Sequence, residues 1–316
     1  MSSGILKSHP APSLASAPFL RARRRRAQQQ RQAFWFILPA LIVLLFVYAG
    51  PMLYALQASF THWVLTDIGS ENDPAGLSNY TDVLQSRDFW SAVRVTVTYA
   101  LSSIACGLTL GTAFALLLNL DFFWRSFFRS VMMIPMVITP AVIGIFWKLL
   151  YEQEGGVFNY FLTSLGLPPV PWLDLDHSLL SIIIMDVWQT TPFFMLVILA
   201  GLQAIDENEI DAARVDGASG FQLFRYILLP HLLPYMLIAA AFRSIAAMGD
   251  FDKIWLLTAG GPGDRTTTIT IFTYKTGFFA FDIGRTAAIA WIFVVIMLVI
   301  SAPLMRHLFK TSIAER

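Results

Sequence analysis

Residues 209–230 read EIDAARVDGASGFQLFRYILLP. Charged and punctuated by Ala and Gly, the stretch separates two apolar segments in a chain otherwise suited to lipid. Of 316 residues, 56% are hydrophobic and 14% charged, and mean hydropathy is +0.61. Soluble domains run at roughly 45–50% apolar and about 25% charged, so these values place the chain among membrane proteins before any segment is examined. A net charge of +1 offers no overall basic balance for nucleic acid. The single cysteine, Cys106, excludes an internal disulfide framework, and its apolar surroundings assign it to helix packing.

A membrane helix needs about 20 mostly apolar residues. Such runs lie near 34–60, 92–118, 128–150, 179–202, 229–248 and 286–309, which predicts six crossings. RARRRRAQQQR at 21–31 precedes the first. With no small-residue cleavage site, a removed signal peptide is disfavoured, and the arginine run reads as a positive-inside anchor rather than a nucleic-acid patch. Both termini are then expected in the cytoplasm. The expected order is a basic tail at 1–33 (disordered at 1–20), a first helix at 34–60, an extracytoplasmic loop at 61–91, a transmembrane core at 92–309 and a tail at 310–316. The quoted stretch, within the inner segment 203–230, faces the cytoplasm.

The outer segment 151–178 is expected to be a structured loop on the membrane surface. DFDKIWLLTAGGPGDRTTT at 250–268 breaks at Gly260, Gly261, Pro262 and Gly263 and suits a dipping or re-entrant loop. In the second span Ser103, Gly107, Gly111 and Ala115 recur at intervals of four, a small-residue edge along which another helix can approach closely.

Two helix starts punctuate the inner stretch. Asp206 with Glu209 forms a D-x-x-E variant of the capping box, with Ile205 and Ile210 placed as a hydrophobic staple. That helix should stop at Gly217. Ser219 and Gln222 then open a second helix with Phe221, Phe224 and Leu228 on one face. Helices of about ten residues are marginal in water, so an apolar face here needs cover, from the chain's own bundle or from a partner's groove.

Polar groups inside spans are costly and mark functional candidates. The fourth span carries Asp186, Gln189, Thr190 and Phe193 on one face; the fifth carries Arg243, Ala246, Ala247 and Asp250 at the same spacing. The stripes are expected to face each other across a cavity, with Phe193 as an aromatic platform. Pairing of Arg243 with Asp186 or Asp250 as a structural ion pair is the alternative. Arg243 also leaves an anionic solute open. Trp188 and Trp255 are read as packing or interfacial residues.

The inner stretch resembles the EAA loop of ABC-importer permeases in Ala212, Ala213, Asp216, Gly217, Ala218, Phe224, Ile227, Leu229 and Pro230, with Asp211 where Glu is usual. GLSNYTDVL at 76–84 with Phe89-Trp90, VWQTTPFFMLVILAGLQAI at 187–205 and LLTAGGPGDRTTT at 256–268 are similar to maltose-type sugar permeases, and the GGP segment to the MalF-like member. The resemblance implies an all-α type I importer permease with the sugar held between the fourth and fifth spans, at the eight positions named above. It further implies a second, MalG-like permease, a pair of ATPase subunits gripping Asp211, Ala212, Ala213, Asp216, Gly217, Ala218 and Phe224, and an extracytoplasmic solute-binding protein. Transport would proceed by alternating access in a bacterial or archaeal cytoplasmic membrane.

No Walker A pattern is present, and GGPGDRT at 260–266 lacks the lysine that such a loop needs. ATP and Mg are therefore expected on a partner chain. The five histidines have no metal-ligand spacing, and no nucleophile constellation is readable, so neither a metal, a cofactor nor an enzyme is expected here. The rival readings are a secondary transporter driven by an ion gradient, which would more naturally show paired repeats with broken helices, and an intramembrane enzyme or structural subunit.

Overall fold

The structure, a computed structural model, describes Gln32 and residues 34–314, with side chains through Ala302. The expectations for 1–31 and for the far C-terminal tail lie outside the described residues. Among the described residues the chain is helical, with only two isolated β-bridges, Thr61–Pro74 and Val64–Asp282.

Residues up to Gln57 form a unit by themselves. Its helix, α1 (Phe34–Ala58), has a mean hydropathy of 2.4 and largely exposed side chains. A π-helical turn at Leu45–Ala49 lies just ahead of Gly50-Pro51. Proline has no N–H for the regular ladder and clashes with the preceding turn, and a wider turn there keeps the helix continuous.

The larger unit begins at Ala58. Two short elements lead in: α2 (Ser78–Gln85), then the long α3 (Arg87–Asn119), capped by the Ser86 hydroxyl, which accepts from Phe89 N. Asn79 is buried and its Nδ2 donates to the carbonyls of Ser59 (2.9 Å) and Thr61 (2.8 Å), which fixes the lead-in loop. The centre of the unit is α7 (Ser178–Leu202), whose most apolar window is 61% buried. It packs on α3 along the predicted small-residue edge. Ser103 and Ala115 are fully buried, and a Cβ at Gly107 or Gly111 would stand 2.5 Å from Phe194 atoms. Cys106 lies off this edge and is exposed, which corrects its assignment to packing: the contact stripe runs through 103, 107, 111 and 115, and 106 falls beside it.

The third predicted span is not one helix. It is α4 (Arg125–Val137) and α5 (Pro140–Leu150), bent 99° to each other. Ile138 and Thr139 are extended, as the steric demand of Pro140 on its predecessor requires. The described residues thus hold five helices long enough to cross a membrane, or six if the bent pair counts as one. The loop after α5 is organised by α6 (Val157–Ser164). Its buried Asn159 bonds Val170 N, Val170 O and Trp172 Nε1. In the same loop the His177 backbone N–H donates to Asp174 and holds that carboxyl below its usual range.

The elbow helix α8 (Glu207–Val215) ends as the sequence predicts. Gly217 takes φ +81°, Gly217 N bonds Arg214 O and Ala218 N bonds Ala213 O, a Schellman turn. Its start differs in detail. Asp206 accepts from Asn208 N, while the Glu209 carboxylate lies 3.5 Å from His231 Nε2, so the reciprocal half of the box is not made. Ile205 and Ile210 both pack into the apolar cluster around α7. The second start is complete: Ser219 and Gln222 bond each other's backbone N–H. The helix that it opens is not a separate ten-residue piece. It runs on as α9 (Gly220–Met248) through a π turn at Phe224–Leu228, again just ahead of a proline, Pro230. The extra residue turns Phe221, 75% exposed, away from the face on which Leu228 reaches the core.

After α9 the chain breaks at Gly249 and Asp250. It forms α10 (Asp252–Thr258), turns at Ala259–Gly263, and continues as α11 (Ile269–Phe278) and α12 (Ile283–Ala314). Within 250–268, the segment expected as a dipping or re-entrant loop, α10 packs against α5 so closely that a Cβ at Gly144 would lie 2.7 Å from Lys253 O. Trp188 and Trp255 are packing residues, against Trp147 and Phe251 respectively.

Candidate functional site

The α7 stripe forms as its spacing predicts, but its members do different things. Gln189, Thr190 and Phe193 line an open cavity of about 370 Å3 with Arg243, Ala246, Asp250 and Lys253, bordered by Met136 and Pro140 of the bent pair and by Phe242. Two of the eight expected residues are not on its wall. Asp186 is fully buried behind it, and Ala247 belongs to the apolar core around Tyr99 and Met185. The reason is helical geometry: Ala247 points a full side-chain position away from Ala246, and Asp186 is held among Ser103 of α3, Arg243 of α9 and Lys253 of α10.

Those partners form an ionic knot. Arg243 Nη2 donates to Asp186 Oδ1 (2.6 Å) and to Asp250 Oδ2 (2.8 Å). Lys253 Nζ donates to Asp186 and to Gln189 Oε1 (3.1 Å), and pairs ionically with Asp250 Oδ2 (3.1 Å). Ser103 Oγ donates to Asp186, and Tyr99 OH to Asp250 Oδ2 (2.7 Å). Arg243 therefore pairs with both carboxylates, so the ion-pair alternative is realised in the same residues that edge the cavity. Lys253 was not among the expected site residues. It is 2% exposed and reaches the knot because the break at Gly249–Asp250 turns α10 back on α9. A lysine inside an expected dipping loop carries no local signal of burial; the surplus of carboxylate over cation on the two stripes is the only hint the sequence offers.

Buried charges are tolerated when each is paired and its remaining donors are bonded. The knot meets most of that demand, leaving Arg243 Nε without a partner. Thr190 spends its hydroxyl on the Asp186 carbonyl (2.8 Å). What the cavity presents is thus an amide, a carboxylate edge, two cationic heads already paired, and the rings of Phe193 and Phe242.

A second surface lies at the elbow. No residue of α8 is buried, Asp211 pairs with Arg214 of its own helix (3.0 Å), and Val215, Phe221 and Tyr226 are 87, 75 and 73% exposed. Asp216, Gly217, Ala218, Gln222, Tyr226 and Ile227 border a depression of about 310 Å3. Of the expected coupling residues, Asp211, Ala212, Asp216 and Gly217 are exposed, while Ala213, Ala218 and Phe224 are half-buried.

Comparison with known proteins fits this architecture. Residues 107–313 match the family described as the binding-protein-dependent transport system inner membrane component. A probable ABC transporter permease protein, y4oQ, of Sinorhizobium fredii is 57% identical over 93% of this chain and 95% of its own length. The trehalose/maltose transport system permease protein MalF of Thermococcus litoralis is 39% identical over 78% of this chain and 84% of its own. A permease chain of a bacterial ABC transporter involved in import of the acidic polysaccharide alginate superposes with a TM-score of 0.76 at 22% identity, covering 90% of this chain and 99% of that one, a likeness of fold. With a small-residue helix edge, a broken span pair and an exposed, doubly capped elbow in one helical bundle, this chain belongs to the inner-membrane permease family of binding-protein-dependent ABC importers.

Proposed function

We propose that this chain is a carbohydrate-translocating permease subunit driven through its elbow by a separate ATPase. The observation that carries the reading is the elbow itself. Its helix ends are satisfied by its own caps, yet its apolar side chains, Val215 and Phe221, stand in the open beside a depression. A surface that is rigidly built and left uncovered is suited to a partner's groove. Asp211, Ala212, Ala213, Asp216, Gly217, Ala218 and Phe224 form the coupling contact. Small side chains there let the helix lie deep, and the capped ends transmit a push without fraying.

The solute sits in the cavity between α7 and α9, touched by Gln189, Thr190, Phe193, Arg243, Ala246 and Asp250. Asp186 and Ala247, out of the wall, hold these from behind. An aromatic ring beside fixed hydrogen-bonding groups suits a hydroxylated ring with C–H faces, and the trehalose/maltose name of one relative supports the class. The full machine comprises a second, MalG-like permease, an ATPase pair holding ATP and Mg, and an extracytoplasmic binding protein, in a bacterial or archaeal inner membrane with both termini of this chain cytoplasmic.

Single cysteines at Val215 and Ala212, in a Cys106→Ser background, test the coupling. In membranes containing the whole transporter they should cross-link to the ATPase subunit, with a yield that changes on adding ATP. An elbow that reacts freely with maleimide in every nucleotide state and cross-links to nothing would sink the reading.

A further inference from the structure

We infer that the solute this cavity takes is uncharged, and that Asp186, which does not touch it, enforces that choice by cancelling a cation on the wall. The inference rests on the carbohydrate reading above and narrows it. Taken alone, the wall is cationic. Arg243 and Lys253 both line it, and only one carboxylate, Asp250, accompanies them. Such a wall would favour a uronate, a sugar phosphate or a sulfonate. Asp186 reverses this from behind. It is fully buried, and both cations reach it: Arg243 at 2.6 Å, with the Lys253 ammonium bonded to the same oxygen. Asp250 also takes both, at 2.8 and 3.1 Å. Two cations against two carboxylates leave no net charge.

Much of the donor capacity is spent as well, with Arg243 Nε the exception. The Lys253 ammonium donates to Asp186 and Gln189 and forms an ion pair with Asp250 at 3.1 Å. Arg243 Nη2 gives its pair to the two carboxylates. An arriving anion finds no uncancelled charge. It must add a negative charge to a site walled by helices, or expel Asp250 from Tyr99, Arg243 and Lys253 together. Both routes leave a charge unpaired among membrane-spanning helices, which is costly. A hydroxyl meets neither obstacle. It donates to the free edge of a carboxylate already held in place, a charge-assisted bond, while the sugar's C–H face lies on Phe193.

The test measures ligand-dependent thermal shifts of the full-length chain in nanodiscs. One arm holds trehalose, maltose and glucose; the other holds glucuronate, glucose 6-phosphate and a sulfonated glucose. Wild type should be stabilised by an uncharged sugar and at least about tenfold less tightly by the charged compounds, because like-charge juxtaposition at a recognition site is penalised at that scale or above. Asp186→Asn frees one cation and should gain at least about tenfold in affinity for a charged compound. The double variant Asp186→Asn with Lys253→Gln restores neutrality and should lose that gain; it also keeps the test alive if the single variant folds poorly. Charged sugars binding wild type as tightly as uncharged ones, or wild type shifted by no compound in either arm, overturns the inference. So does a folded Asp186→Asn without gained anion affinity. Stabilisation by amino acids and by no sugar would instead remove the carbohydrate reading itself, and the inference with it.

Discussion

Lys253 shows how much one side chain can depend on a helix break. It is a cation within a stretch that opens with Asp250 and Asp252, and locally it looks like a solvated charge. Folding puts its ammonium between Asp186 and Asp250. Removing one member of a buried ion network leaves its partners charged and unpaired, at about 3–5 kcal/mol. Lys253→Met should therefore lower the unfolding midpoint of the purified chain sharply. Lys148→Met, at an exposed lysine beside the surface loop, should leave that midpoint unchanged. Equal midpoints for wild type and Lys253→Met would mean that the knot contributes nothing to stability. At this scale the sequence revealed the candidates better than their roles. Gln189, Thr190, Phe193, Arg243, Ala246 and Asp250 could be picked by helical spacing because each shares a face with the next. That Asp186 sits behind the wall, and that Lys253 joins it, depends on which way a neighbouring helix turns.

Between elements the deciding contact is α3 on α7. The four-residue spacing of Ser103, Gly107, Gly111 and Ala115 was legible because a helix repeats its faces regularly, and the structure puts Phe194 into the gap that those residues leave. A methyl at Gly111 would meet Phe194 Cβ at 2.5 Å and the Met195 backbone N at 2.9 Å. Gly111→Ala should thus cost about 1–3 kcal/mol through overpacking, read as a lower melting temperature. Gly220→Ala, with open space around it, should be neutral. If the two behave alike, the close approach is not what holds these helices. Caps were legible too, since Ser219, Gln222 and Gly217 act on groups within a few residues. The two π turns and the 99° bend were not. Each is a response of a long helix to a proline, and whether such a helix bulges, breaks or ends is settled by what packs against it: α10 on the far side of α5, and the apolar core beside Leu228.

For the molecule as a whole, exposure and crossing number carry the argument. Outward residues such as Leu101, Leu117, Leu298 and Val299 are more than half exposed, as expected for a surface facing acyl chains or another subunit. One long helix, α7, separates the loop around α6 from the elbow. Leu165 and Val215, both well exposed, should then be labelled from opposite sides. In a Cys106→Ser background, a membrane-impermeant maleimide should modify Leu165→Cys in intact cells and Val215→Cys only after permeabilisation. Labelling of both from outside would reject the orientation inferred from the basic N-terminal run, and the coupling role of the elbow with it.

Membrane residence, the helical class, the capped elbow and the faces of the fourth and fifth spans were determined by the sequence alone. Each follows from composition, from a fixed period or from bonds between near neighbours. Only the tertiary structure decided that the third span is bent, that a lysine from the segment after the fifth is buried in the site, and that two carboxylates cancel two cations there. These are outcomes of packing between residues dozens of positions apart, where the cost of an unpaired charge selects one arrangement among many that the chain's local preferences allow.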